Sequence, residues 1–106
     1  MIGKICGTGS YIPPKILSND DLSEMVETSD EWIRERTGVR NRHIAEHETT
    51  SFMAAEAAKR ALDNAGISPE EIDLILVASS SPDVIFPSVA CEVQKEIGAV
   101  HAAGYD

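Results

Sequence analysis

Residues 74–78 read Leu-Ile-Leu-Val-Ala, an unbroken apolar run that decides the fold class predicted for this chain. A half-exposed strand alternates apolar and polar residues, whereas an unbroken run is typical of a parallel strand that is covered on both faces. We therefore expect these residues to form a buried strand of a parallel sheet. Because the flanking segments carry helix caps and helical spacing, the chain is predicted to have an α/β layered fold.

The other elements are predicted from cap signals and apolar spacing. In chain order they are a strand at 2–12, a short helix capped by Asn19, a helix at 29–37 that ends before Gly38, an extended segment at 39–45, an alanine-rich helix at 52–62, the strand at 74–78, a helix that follows Ser88 and ends at Gly98, and a strand at 99–106. The glycines of the first strand indicate close backbone approaches. This order favours a mainly parallel sheet in one small domain.

The helix at 29–37 carries the most informative pair of side chains. Its start has the capping-box spacing of Thr28 and Glu31. Trp32 and Arg36 stand one turn apart, so both project from the same face. An indole and a guanidinium can hold a flat ring such as adenine between them, and the Thr28 hydroxyl can bond its edge. A partly buried tryptophan covered by an arginine stem is the equally open structural alternative.

Charge and composition exclude several classes of protein. The 106 residues include 9 Lys and Arg against 18 Asp and Glu, a formal net charge of −9. This balance argues against nucleic-acid binding and against docking on an anionic membrane surface. No stretch approaches the ~20 apolar residues of a membrane span, and the N-terminus lacks a signal peptide. We expect a soluble, unprocessed, cytoplasmic protein.

Other motifs that could carry chemistry are incomplete. Gly7-Thr8-Gly9 lacks the third glycine of a dinucleotide loop because position 12 is isoleucine. The histidines are scattered, and no carboxylate or cysteine stands at ligand spacing from any of them: His43, His47 and His101. We therefore predict no metal site.

The two cysteines, Cys6 and Cys91, are too few for a disulfide scaffold. Cys91 falls in the first turn of the helix after Ser88, where the helix dipole lowers the pKa of a thiol, so a nucleophile is one interpretation. The favoured interpretation is a small buried packing residue, because no basic partner lies near it in the sequence. Cys6 lies inside the first predicted strand.

The chain resembles the N-terminal part of β-ketoacyl-[acyl carrier protein] synthase III over essentially all of its residues. The segments that carry the resemblance are Gly7-Thr8-Gly9-Ser10-Tyr11-Ile12-Pro13, Thr28-Ser29-Asp30-Glu31-Trp32-Ile33, Arg36-Thr37-Gly38-Val39-Arg40, Arg42-His43-Ile44-Ala45, Phe86-Pro87-Ser88 and Ala90-Cys91. The resemblance implies the thiolase-like fold, five α-β-α-β-α layers in the complete enzyme. Residues 1–106 would be a portion of its N-terminal domain, with the remainder absent.

The resemblance also implies an activity and a set of sites. The family begins type II fatty acid synthesis by condensing an acyl-CoA, usually acetyl-CoA, with malonyl-acyl carrier protein, and it works as a homodimer. Trp32 and Arg36 would clamp the adenine of coenzyme A, and Thr28 would contact it. Phe86 resembles the loop phenylalanine that reaches the acyl pocket of the neighbouring subunit. Acyl-CoA is a substrate here, so the resemblance implies no cofactor.

The family's acting catalytic residues are not found in this sequence. Asp106 corresponds to the end of the strand that leads into the nucleophilic cysteine, and the catalytic histidine and asparagine lie further downstream. Cys91 aligns with a helical cysteine that is not the nucleophile. The chain alone is therefore predicted to be inactive. Two alternatives stay open: a related thiolase-fold acyltransferase of secondary metabolism, and a short non-catalytic module for coenzyme A binding or dimerisation.

Overall fold

The structure is a computed structural model and describes residues 2–106. Within that range it contains α1 (Asn19–Ser23), α2 (Asp30–Thr37), α3 (Thr50–Ala65) and α4 (Val89–Ile97), the strands β1 (Lys15–Ser18), β2 (Asn41–Ile44), β3 (Leu74–Leu76) and β4 (Ala103–Tyr105), and one turn of 3₁₀ helix at Pro69–Glu71. The chain divides into two compact units, one formed by residues 12–47 and the other by residues 48–106 with the segment up to Tyr11.

The unit of residues 12–47 consists of a two-stranded sheet with two short helices. Strands β1 and β2 run antiparallel, with Lys15 opposite Ile44 and Ser18 opposite Asn41. Its buried side chains are few, namely Ile33 and the polar Asn19. The predicted extended segment at 39–45 is confirmed as β2, and the predicted helix at 29–37 is confirmed as α2.

Two predicted caps in this unit are wrong by one residue. Ser18, not Asn19, caps α1, because its hydroxyl accepts from the Asp21 backbone N–H while the Asp21 carboxylate accepts from Ser18 N–H. Helix α2 is capped by Ser29, whose hydroxyl accepts from the backbone N–H of Trp32 at 3.2 Å. The Thr28 capping box is therefore not formed. Each site offers adjacent polar residues, and sequence spacing alone does not select which one adopts the extended cap conformation.

The second unit is held together by helices α3 and α4 with the parallel pair β3 and β4. Leu74 lies opposite Ala103 and Leu76 opposite Tyr105 in that pair. The core consists of small apolar side chains from the two helices and the following turn: Ala55, Val89, Ala90, Val93 and Ala99. The alanine-rich helix, the strand after it, the helix after Ser88 and the final strand are all confirmed.

The prediction that residues 74–78 are covered on both faces is wrong for this chain. Leu74 is 50% exposed and Leu76 is 71% exposed, whereas Ile75 is half-buried. Helix α4 contacts the strand, but residues 2–106 do not bury Leu74 and Leu76. The predicted mainly parallel sheet is likewise replaced by two separate two-stranded sheets, only one of them parallel.

The predicted strand at 2–12 is also wrong, since these residues pair with no strand in the described part of the chain. Residues 7–10 instead lie along α3, where Thr8 N–H donates to Asn64 Oδ1 at 3.1 Å and Arg60 donates to the Ser10 carbonyl at 2.7 Å. A Cβ atom at Gly7 would lie 2.8 Å from the Ala61 carbonyl oxygen. The predicted close backbone approach is therefore confirmed, but its partner is a helix.

Candidate functional site

Helix α2 brings Trp32 and Arg36 into direct contact. The Arg36 guanidinium carbon lies 4.2 Å from the centroid of the indole ring, within the range of a cation–π interaction. The side of the helix that carries the pair faces solvent, and Trp32 is 50% exposed. The prediction that the two side chains share one face is confirmed.

The spacing of this pair is that of two groups in van der Waals contact. An aromatic ring inserted between them would require about 7 Å, two contact spacings of about 3.5 Å. At 4.2 Å the pair leaves no such gap. An adenine ring would therefore lie between Trp32 and Arg36 only after the Arg36 side chain swings away, or it would stack against an indole surface that Arg36 does not cover.

A shallow depression of ≈ 340 Å³ adjoins Trp32 at the start of α2. Glu27, Thr28 and Ser29 line it together with the indole, and Arg36 does not. Thr28 is partly buried there. The structure thus brings two of the predicted residues, Thr28 and Trp32, to one concave surface, and places Arg36 against the same indole.

Asn19 is hydrogen-bonded to residues at both ends of α2. It was not identified as a functional candidate from the sequence, because sequence spacing assigned it only to a helix cap. Its side chain is 1% exposed. The amide donates to Asp30 Oδ1 and to the Val39 carbonyl, both at 2.8 Å, and accepts from Arg42 at 2.6 Å. The Asn19 hydrogen bond, then that of Arg34, lowers the pKa of Asp30. The only sequence signal is the asparagine itself, since its partners are 11 to 23 residues away.

Phe86 lies in the other unit, on the loop between β3 and α4. It is 89% exposed, and its neighbour Ile85 is 96% exposed. The Asp83 carboxylate anchors this loop by accepting from the backbone N–H groups of Thr50 and Ser51, each at 2.8 Å. Hydrogen bonds from Ser51 are the largest cause that lowers the pKa of Asp83. Sequence reasoning missed Asp83, because more than 30 residues separate it from the helix that it caps.

Cys91 is exposed, so its prediction as a buried packing residue is wrong. The buried stripe of α4 consists of Val89, Ala90 and Val93, and Cys91 falls to one side of it. Cys6 is also exposed. Within residues 2–106, no three His, Cys, Asp or Glu side chains are placed to hold a metal ion.

The start of α4 is capped twice. Ser88 accepts from Cys91 N–H, and Asp106 accepts from the N–H groups of Val89 and Ala90 at 2.9 and 2.7 Å. A carboxylate at this position is favoured by the helix dipole. Asp106 therefore fastens the residues after β4 to the start of α4.

Comparison with known proteins gives consistent matches. The chain is 56% identical over 103 residues to the β-ketoacyl-[acyl-carrier-protein] synthase III of Clostridium acetobutylicum, covering 97% of this chain and 32% of that protein. The crystal structure of 3-oxoacyl-[acyl-carrier-protein] synthase III from Aquifex aeolicus matches with a TM-score of 0.94 and 50% identity, covering 97% of this chain and 33% of that one. The priming β-ketosynthase of the R1128 polyketide pathway matches with a TM-score of 0.93 and 39% identity, covering 97% and 31%.

These matches extend along almost the whole chain, which spans about a third of the length of the curated relatives. No protein-family model matches it, and no helix in residues 2–106 is long and apolar enough to cross a membrane. The matched structures are thiolase-fold enzymes, so the predicted fold class is confirmed. Its sequence and its fold together show that the chain belongs to the β-ketoacyl-[acyl-carrier-protein] synthase III family.

Proposed function

We propose that the chain is the acyl-CoA-binding N-terminal portion of an enzyme that condenses acyl-CoA with malonyl-acyl carrier protein. The observation that carries this proposal is the exposed Trp32 on α2, with Thr28 lining the depression beside it and Arg36 stacked on its ring. Identities of 53–57% to curated synthases III support it. Residues 1–106 would form part of the N-terminal domain of a cytoplasmic enzyme that needs no cofactor.

In this proposal the adenine of coenzyme A packs on the indole. The Thr28 hydroxyl bonds the edge of the adenine from within the depression. Arg36 either swings away to cover the outer face of the adenine or stays on the indole and stiffens it. In both arrangements its guanidinium adds positive charge near the phosphates of the ligand, which arginine binds well. That charge matters because the chain carries a net charge of −9.

The chemical step would be carried by residues outside this chain. A thiolate at a helix N-terminus takes the acyl group from coenzyme A, and hydrogen-bond donors then stabilise the enolate that forms as CO2 leaves. Cys91 is exposed in the first turn of α4, but the resemblance aligns it with a cysteine that is not the nucleophile. The chain would supply binding surface and scaffold, and alone it would be inactive.

The exposed Phe86 loop supports a homodimer. Ile85 and Phe86 place two nearly fully exposed apolar side chains at one loop tip, and such a patch marks an interface. We propose that Phe86 enters the acyl pocket of a second subunit. The basic surface that docks the acidic carrier protein would then lie elsewhere, because like charges repel.

A second candidate is a priming acyltransferase of secondary metabolism. The observation that favours it is the TM-score of 0.93 to a polyketide priming β-ketosynthase. The identity to that protein is 39%, against 56% to the clostridial synthase III, so fatty acid synthesis is the better supported of the two. A binding or dimerisation module without catalysis is the third possibility, and the mass of the intact protein tests it.

Kinetics of the complete protein test the adenine site. Trp32→Ala is expected to raise KM for acetyl-CoA about tenfold with kcat changed much less, because a stacking contact is made in ground and transition states alike. Trp32→Phe keeps an aromatic face and is the matched control, with a KM closer to that of the unmodified enzyme. An unchanged KM in Trp32→Ala would remove the adenine site from the proposal.

A further inference from the structure

The side chain of Asn19 is buried and fully bonded. Both hydrogens of its amide group are donated, to the Asp30 carboxylate and to the Val39 carbonyl, and its oxygen accepts from the Arg42 guanidinium. Its backbone N–H donates to the Arg40 carbonyl at 3.0 Å. Because Asn19 is only 1% exposed and its side-chain amide is fully hydrogen-bonded, these bonds fix the positions of its partners relative to one another. We call this hydrogen-bonded amide the Asn19 joint.

The partners of this joint lie at the two ends of α2. Asp30 is the first residue of that helix, and Val39 follows Gly38, which ends it in the left-handed conformation with φ 73°. Trp32 lies between the two fastened ends. A helix of eight residues is too short to be stable on its own and takes its orientation from what holds it.

Arg42 ties the same joint to the sheet. Its guanidinium donates to Asn19 Oδ1 at 2.6 Å and to the Leu17 carbonyl at 3.1 Å, so it joins β2 to β1 and to Asn19 together. Asp30 receives a further bond from Arg34 at 2.8 Å. The apolar contribution in this unit is small, since Ile33 is the one apolar side chain of residues 12–47 that is buried. Orientation of α2 therefore depends on these polar contacts.

We propose that Asn19 is a positioning residue for the ligand-stacking indole: by fastening both ends of α2 to the β1–β2 sheet, its amide sets the orientation of Trp32 and Arg36. The part that concerns coenzyme A rests on the proposed function. The part that concerns the indole does not, because it follows from the contacts of Asn19 with Asp30 and Val39.

Asparagine is required here for its donors. In Asn19→Asp a carboxylate would face the Asp30 carboxylate and the Val39 carbonyl, so two attractive contacts become repulsive while the Arg42 contact stays. The side-chain volume is almost unchanged. This variant therefore tests the direction of the hydrogen bonds and not packing.

The experiment uses the complete protein that carries this chain. The signal of Trp32 is isolated as the difference between each variant and the same variant with Trp32→Phe. Asn19→Asp is expected to increase acrylamide quenching of that signal by about twofold and to shift its near-ultraviolet circular dichroism, because the indole loses its fixed surroundings. KM for acetyl-CoA should rise about tenfold while kcat changes less than about twofold.

Two further variants keep the test decisive. Val93→Ala removes volume from the α3–α4 core, so it lowers stability but should leave the indole signal and KM unchanged. Arg42→Met removes the bonds to Asn19 Oδ1 and to the Leu17 carbonyl but leaves both donor bonds of Asn19 in place. It should move both readouts in the same direction as Asn19→Asp by a smaller factor. If Asn19→Asp does not fold, the indole signal and KM of Arg42→Met test the proposal instead.

The results separate the two claims. The positioning role would be overturned if Asn19→Asp, or Arg42→Met in its place, left both indole quenching and KM unchanged. Such a variant would lose only stability, as Val93→Ala does. A changed indole signal with unchanged KM would support the positioning of Trp32 and count against the adenine site. A changed indole signal together with a raised KM would support both the positioning of Trp32 by Asn19 and the adenine site.

Discussion

The two units of this chain are held together by different forces. In residues 12–47 the central buried group is the amide of Asn19, bonded to Asp30, Val39 and Arg42. In residues 48–106 most buried side chains are small and apolar and come from α3, α4 and the turn after α4, although Glu48 is buried as well. Hydrogen bonds fix direction, whereas apolar packing is non-directional and depends on shape. The unit of residues 12–47 is therefore suited to fix the orientation of the Trp32 side chain. The other unit is suited to serve as a scaffold.

The largest expected effect is a loss of stability in the unit of residues 48–106 with the segment up to Tyr11. It tests whether packing in this unit depends on the shape of the contacting surfaces. A Cβ atom at Gly9 would collide with the Ala61 nitrogen and the Ala57 carbonyl oxygen, both of them backbone atoms that cannot rotate away. Gly9→Ala should lower the free energy of unfolding by about 3 kcal/mol. Gly3→Ala is the matched control, since a Cβ there meets nothing within 4 Å. Denaturant unfolding measures both, and equal midpoints would show that this unit tolerates a change of shape.

A second prediction concerns the apolar surface that this unit leaves uncovered. In the proposed homodimer Phe86 enters the second subunit, so Phe86→Ser in the complete protein should weaken association at least tenfold, because an aromatic anchor that is buried on association contributes strongly to an interface. The stability of the isolated chain should not change, since Phe86 is 89% exposed. Sedimentation velocity over a dilution series measures the association. A dimer as tight as that of the unmodified protein would place the interface elsewhere.

The smallest expected effect is a local pH dependence in the scaffold. Hydrogen bonds from the Ser51 side chain, and then from backbone N–H groups at the start of α3, hold the pKa of Asp83 below its ordinary value. Asp83 therefore stabilises the loop at pH values above about 3.9, the aspartate value in an unfolded chain. That stabilisation is lost as the pH falls through the lowered pKa. The Thr50 and Ser51 amides should then lose protection, that is, exchange faster relative to an unprotected amide at the same pH.

Asp83→Asn should show this faster exchange already at neutral pH, while the amides in the middle of α3 keep their protection. Hydrogen exchange followed by NMR resolves the individual amides. Equal exchange rates at Thr50 and Ser51 in Asp83→Asn and in the unmodified chain would contradict the anchoring of the loop by Asp83.

Local sequence determined the helices and their C-terminal ends well. Gly38, Gly66 and Gly98 each end a helix in the left-handed conformation, which glycine adopts without strain. The apolar spacing of α4 and the alanine content of α3 identified both helices. Trp32 and Arg36 share a face because helix geometry places residues four apart side by side. The thiolase-like family was also identified from the sequence, because the motif at residues 28–33 is specific.

Tertiary structure decided what those elements touch. The segment before Tyr11 has the composition of a strand, yet residues 7–10 lie along α3, because a strand forms only where a second strand offers its hydrogen bonds. Burial of Leu76 and Cys91 depends on which layers are present, and neither residue is covered here. The 4.2 Å contact of Arg36 with the indole is one rotamer among several that the same spacing allows.

The joint at Asn19 shows the physical limit of reasoning from sequence alone. Periodicity and caps report contacts within a few residues, where the backbone geometry fixes the distance. Asn19 meets Asp30, Val39 and Arg42 across 11, 20 and 23 residues. Such contacts form only after the chain has folded back on itself. The sequence therefore determined which side chains stand on α2, and the tertiary structure determined where α2 points them.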